Sequence, residues 1–81
     1  MARITLPSNL AEFTGGETEL ELAVGNVRQL FELLGERYPN LRVYLEADFA
    51  VAIDGEIYQD ALLQPIESDS EVLLFPKIAG G

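Results

Sequence analysis

The residues with the most chemical promise are the last four, Ile78-Ala79-Gly80-Gly81, which run out of the apolar stretch Val72-Leu73-Leu74-Phe75. Glycine has no Cβ, so a diglycine end is thin and conformationally permissive. Such an end can thread a narrow channel in another protein and present a terminal carboxylate there. Terminal residues are usually frayed and expendable, so the competing reading is an ordinary loose end that happens to hold two glycines.

The rest of the chain offers little chemistry. There is no cysteine and no histidine, which removes Cys-His pairs and Ser-His-Asp triads. Structural zinc loses both of its preferred ligand types, and no Asp-x-Asp-x-Asp-Gly calcium loop is present, so no metal site is expected. Glu17, Glu19 and Glu21 alternate toward one face, expected to be solvent. Asp54 and Glu56 could in principle do acid-base work, but they flank Gly55 where a hairpin turn accounts for them better. Gly15-Gly16 lacks the Lys-Ser/Thr of a phosphate loop and reads as a turn. No active site built from this chain's own side chains is expected.

Composition narrows the class. Eighty-one residues make one small domain, which buries only about 60% of its unfolded surface. A hydrophobic fraction of 48% argues for a folded chain rather than a disordered one. Without cysteine nothing implies an oxidising compartment. No apolar run suits a signal peptide, and none approaches the ~20 residues of a membrane span. A cytoplasmic protein without membrane contact is the expectation. Fourteen acids against five bases give a net charge of −9, which speaks against nucleic acid as a partner. It favours a basic or otherwise complementary partner, or simply a well-solvated surface.

The elements that must position the tail follow from periodicity. Ala2, Ile4 and Leu6 alternate with Arg3 and Thr5 as a half-buried strand. After a long loop with Leu10 and Phe13, and the Gly15-Gly16 turn, Leu20, Leu22 and Val24 alternate with Glu19, Glu21 and Ala23. Asn26 is a helix cap with Gln29 at the capping-box position. Val27, Leu30, Phe31, Leu34 and Tyr38 form one helical stripe, weakened by Gly35 and ended by Pro39-Asn40. Leu41 to Asp48 reads as a poor strand with room for a short helical turn. Phe49, Val51 and Ile53 share one face of a third strand, Asp54-Gly55 marks a tight turn, and Glu56-Ile57-Tyr58 returns. A connection from Asp60 to Ser70 leads to the last strand, Glu71 to Phe75.

This order predicts an α+β fold, a β-grasp (ubiquitin-like) domain: a mixed sheet of four to five strands with one main helix packed on one face. First and last strands would lie parallel in its centre. If Val72 and Leu74 face the helix, Leu73 and Phe75 face away, and one helical layer cannot cover both sides. Either an apolar docking face is exposed there or neighbouring loops cover it. Pro76 has no N–H for a ladder bond and is expected to end the strand. The domain is thus expected over 1–76, with a flexible diglycine tail over 77–81 that reaches about 17 Å when extended.

The run Asp69-x-Glu71-Val72-x-Leu74-Phe75-Pro76-x-Ile78-Ala79-Gly80-Gly81 resembles the C-terminus of the MoaD/ThiS family of ubiquitin-like sulfur carrier proteins. That pattern is an acidic turn, an apolar strand, a proline and a final Ala-Gly-Gly or Thr-Gly-Gly. Asp54-Gly55-Glu56 looks like the family's Asn-Gly hairpin, and the helix from Val27 to Tyr38-Pro39 takes the family's helix position. The N-terminal part departs from the molybdopterin-synthase branch. Leu6-Pro7-Ser8-Asn9-Leu10 and Thr14-Gly15-Gly16 look more like CysO-type carriers.

The resemblance implies a co-substrate rather than a catalyst. A partner of the ubiquitin-activating adenylyltransferase type would use ATP to adenylate the Gly81 carboxylate, so this chain would bind no cofactor itself. A sulfur donor would displace AMP to leave a thiocarboxylate, and a sulfur-accepting synthase would consume it. The pathway stays open among cysteine, molybdopterin, thiazole and tRNA thiolation. Gly81 would be the reactive site and Gly80 its narrow approach. Ile78 and Ala79 would be channel contacts, and Leu73, Phe75 and Pro76 would contact the partner. No internal thiol could attack the activated end, and the sole lysine, Lys77, is expected to be a surface cation in the tail. A ubiquitin-like modifier joined through Gly81 to lysines of other proteins would use the same adenylation. A plain interaction domain with an incidental Gly-Gly end is the third reading.

Overall fold

The computed structural model describes residues 1–77. Strands β1 (Ala2–Thr5), β2 (Glu19–Leu22), β3 (Phe49–Ile53), β4 (Glu56–Tyr58) and β5 (Glu71–Pro76) form one sheet in the order β2-β1-β5-β3-β4. The first and last strands are parallel at its centre, and the other pairs are antiparallel. The mixed sheet and its crossing helix are the β-grasp arrangement expected from the element order.

Alternation sorts the side chains. Ile4 on β1 pairs with Leu20 and Val72, and Val72 with Ile53, so one apolar row crosses four strands on the inner face. Helix α2 (Val27–Arg37) lies over this face and buries Val27, Leu30, Phe31 and Leu34 against it. Each such side chain contributes about 1.5–3 kcal/mol of burial free energy. The N-terminus of α2 is secured twice. Asn26 Oδ1 accepts from the Gln29 N–H at 2.8 Å, and the Gln29 side chain reaches back to the Gly25 N–H at 2.7 Å. In addition, the Val27 and Arg28 amides donate to the carbonyls of Gln64 and Leu62. The connection before β5 thereby satisfies donors that a helix start leaves open.

Two segments are more helical than their sequence suggests. The loop after β1 holds a 3-10 turn (Ser8–Leu10) and a one-turn helix α1 (Ala11–Thr14) before the Gly15-Gly16 turn. Leu41 to Asp48 is no strand: a 3-10 turn (Pro39–Leu41) leads into helix α3 (Arg42–Asp48), which buries Leu45 beside Leu41. Gly35 explains how α3 fits against α2: a Cβ there would come within 3.2 Å of Arg42 Cγ. The glycine that weakens α2 in isolation lets the second helix approach. The β3–β4 turn is the two-residue type expected, with φ of 49° at Asp54 and 91° at Gly55, matching the twist of the hairpin.

Candidate functional site

Strand β5 lies between β1 and β3, so the chain leaves the domain from the middle of the sheet. Its inner residues Val72 and Leu74 are 1% and 0% exposed, whereas Leu73 on the outer face is 45% exposed. Phe75, also outward, is half-buried, between the two outcomes left open for it. The register extends the outer face into a row across all five strands: Glu19, Thr5, Leu73, Ala52 and Ile57. Ile57 is 63% exposed. Thr5, Ala52 and Leu73 line a shallow concavity rimmed by Arg3, Glu19 and Glu71. Arg3 and Glu71 form an exposed ion pair at 3.4 Å. The outer face is thus a narrow apolar strip between charged residues, with Phe75 next along β5 opposite Ala50.

Sequence reasoning passed over Ile57. The signal was present: the two-residue Asp54-Gly55 turn sets Ile53 opposite Glu56, and hence Ala52 opposite Ile57, on the same face as Leu73.

At the root of the tail the structure corrects two expectations. Pro76 ends β5 as expected, but the tail is not released there: Pro76 still pairs with Phe49, and the next amide, Lys77 N–H, donates to the Asp48 carbonyl at 2.7 Å. Lys77 is also not a free surface cation. Its side chain is 21% exposed, and its ammonium donates to the Glu46 carbonyl at 2.8 Å and to the Asp60 carboxylate. Three hydrogen bonds therefore hold this residue to the end of α3 and to the segment after β4. Of the expected site residues, the structure brings Leu73, Phe75 and Pro76 together on one strand. Ile78, Ala79, Gly80 and Gly81 lie outside the described residues.

A second apolar groove opens beside Pro76, lined by Leu10, Phe13, Tyr44 and Phe49. Phe13 and Tyr44 meet there as a tilted aromatic pair, centroids 6.0 Å apart.

Burial, reinforced by a 2.8 Å hydrogen bond to the Glu17 carboxylate, raises the Tyr38 hydroxyl above its ordinary value, against a lowering by Arg37. This contact joins the end of α2 to the segment before β2. Among the described residues, no cluster of three or more acidic, His or Cys side chains could hold a metal ion, and no helix is long and apolar enough to cross a membrane.

No curated protein matches the chain by sequence. Solved structures do match in fold. A chain of the Amycolatopsis orientalis BexX/CysO complex superposes with a TM-score of 0.82 at 19% identity, covering 100% of both chains. Mycobacterium tuberculosis CysO gives 0.82 at 15% identity, covering 96% of this chain and 100% of its own. Small archaeal modifier protein 1 of Methanosarcina acetivorans gives 0.77 at 22% identity, covering 99% and 95%. At these identities the likeness speaks for the ubiquitin-like β-grasp fold. The sequence model of the ThiS family matches residues 4–81, nearly the whole chain, and the protein therefore belongs to the ThiS family.

Proposed function

We propose that this protein carries sulfur as a thiocarboxylate on Gly81. The observation that carries the reading is the ThiS-family match, which extends through the Ala-Gly-Gly at residues 79–81. The chemistry is coherent with that end. A carboxylate is a poor acyl electrophile, so an activating adenylyltransferase first lets a Gly81 oxygen attack the α-phosphorus of ATP, releasing pyrophosphate. The acyl-adenylate has a good leaving group. A sulfur nucleophile at the hydrosulfide level displaces AMP and leaves the thiocarboxylate, and a synthase then takes the sulfur and returns the carboxylate. The chain is substrate in each step, and ATP belongs to the partner.

In this reading the two regions divide the work. Leu73 and Phe75 dock the partner through the outer face of β5, with Ile57 extending the strip, and the exposed Pro76 contacts the partner at the end of the strand. Ile78 and Ala79 contact the channel wall, and Gly80 keeps the approach narrow. The domain holds the chain through Lys77, so residues 78–81 are the delivered segment. The fold likeness to CysO favours a biosynthetic sulfur acceptor. The likeness to an archaeal modifier protein favours the second reading, conjugation through Gly81 to lysines of other proteins.

The test is thiol-specific alkylation of the protein isolated from its native cells, followed by mass analysis of the C-terminal peptide. The chain contains no cysteine, so a label on that peptide reports sulfur at Gly81. A labelled terminus is expected. An unlabelled one, from cells with intact sulfur metabolism, would overturn the carrier reading and turn attention to Gly81 isopeptides.

A further inference from the structure

Lys77 is the only lysine in the chain and stands four residues before Gly81. That is a hazard for a protein whose terminus is activated as an acyl donor. A free Lys77 amine could attack the Gly81 carbonyl carbon of its own or a neighbouring chain. The new amide bond would form as the bond to AMP or sulfur breaks, and the amine would lose a proton to solvent. The product would be a dead-end lactam or cross-linked dimer.

From the Lys77 contacts we infer that this side chain is held as a positioning residue that is kept out of that reaction. The inference rests on the carrier reading for its purpose, though not for its geometry. The Glu46 carbonyl and the Asp60 carboxylate tether Nζ to the domain, and it must give them up before it can swing away to follow the tail. The two acceptors come from separate elements, the last turns of α3 and the segment after β4. The Lys77 side chain as a whole is 21% exposed and lies beside a cleft lined by Phe31, Phe49 and Leu62. The backbone is held as well, through the Lys77 amide on the Asp48 carbonyl. One residue thus fixes the root of the tail and ties the chain's only side-chain amine to the domain.

Asp60 gives the clean handle. Its φ of 57° is a left-handed conformation that glycine adopts freely and asparagine tolerates. Asp60→Gly therefore removes the acceptor without straining the backbone, and Asp60→Asn removes only the charge. The first measurement is acetylation of the folded full chain by an acetyl N-hydroxysuccinimide ester, read by mass as the rate at Lys77 relative to the Met1 amine. The Asp60 side chain is 78% exposed, so the ratio is expected to rise by up to about fivefold in Asp60→Gly, the scale of an ion pair open to solvent, and to rise less in Asp60→Asn. The second measurement uses the full chain carrying a mercaptoethanesulfonate thioester at Gly81, made by intein cleavage and incubated at mildly alkaline pH. Wild type is expected to hydrolyse, whereas Asp60→Gly yields Gly81–Lys77 amides. An unchanged acetylation ratio, or equal amide yield from wild type and variant, would overturn the proposal. Neither measurement needs an activating enzyme. A protected Lys77 with an unlabelled native terminus would therefore remove the carrier reading and keep the clamp, and a reactive Lys77 with a labelled terminus would do the reverse.

Discussion

The two faces of β5 show how one strand serves stability and recognition at once. Toward α2, Val72 and Leu74 are 1% and 0% exposed; away from it, Leu73 is 45% exposed and Phe75 is half-buried. The residue types are the same on both sides, so hydrophobicity does not separate the roles. Coverage does. A single helical layer buries one face of the sheet, and an apolar residue on the other face does little for folding. Where such residues line up across strands, as Leu73, Ala52 and Ile57 do, they form a surface suited to a partner. The inner face tolerates change poorly because every side chain there is packed. The outer face tolerates change in the isolated chain and is expected to tolerate it poorly only when a partner is present.

The sharpest way to break this comparison is to truncate neighbouring leucines. Leu74→Ala leaves a cavity in the core and is expected to cost about 2–5 kcal/mol. Leu73→Ala removes a half-exposed side chain and is expected to cost less than about 1 kcal/mol. Urea unfolding of the two variants against wild type measures both. Equal losses would mean that the outer face is part of the folding core and that the division drawn here is wrong.

Much of the inner face was legible in the sequence because its signals are local. The alternation of Ile4 and Leu20 with polar residues, the stripe Leu30-Phe31-Leu34 and the Asn26 cap each lie within a few positions. The outward direction of Leu73 followed from period two and from having one main helix. Helix α3 was not legible because only Leu41 and Leu45 turn inward, while Val43 and Tyr44 stay exposed. With no side-chain cap, two buried residues do not define a helical period. The role of Lys77 was hidden for a different reason. Its partners Glu46 and Asp60 are 31 and 17 residues away, and no local pattern joins a lysine to a carbonyl and a carboxylate at such separations. Phe75 falls between: its face was readable, but its degree of cover depends on neighbouring strands. The chemistry at Gly81 was legible only as a pattern of residue types.

A gentler probe works at the edge of the inner layer. Tyr38→Phe removes the hydrogen bond to Glu17 and is expected to cost about 1 kcal/mol near neutral pH. Its pH dependence has a definite sign. Burial and Glu17 raise the folded-state value of Tyr38 above 10.0, the value of an unperturbed tyrosine. The folded protein therefore keeps this proton longer than the unfolded chain does. The contribution is complete below the unfolded value and is lost as pH rises through the folded one. Wild type should lose its advantage over Tyr38→Phe in strongly alkaline solution, in denaturant titrations at stepped pH. An advantage that grows with alkalinity would contradict the assigned contact.

The smallest expected effect on the fold comes from Leu73→Asp, and it is the most telling about function. At 45% exposure a carboxylate at position 73 can stay hydrated, and stability should change by no more than about 1 kcal/mol. It would, however, place a charge in the middle of the row Thr5-Leu73-Ala52. A partner that buries this row would have to desolvate that charge without a counter-ion, which costs several kcal/mol. Thiocarboxylate at Gly81, read by thiol alkylation in the native cells, should fall to background while the melting temperature barely moves. If the label persists at wild-type level, docking does not pass through Leu73. The groove beside Pro76 lined by Phe13 and Tyr44 would then be the next surface to alter, since it too adjoins the root of the tail but lies off the outer face of β5.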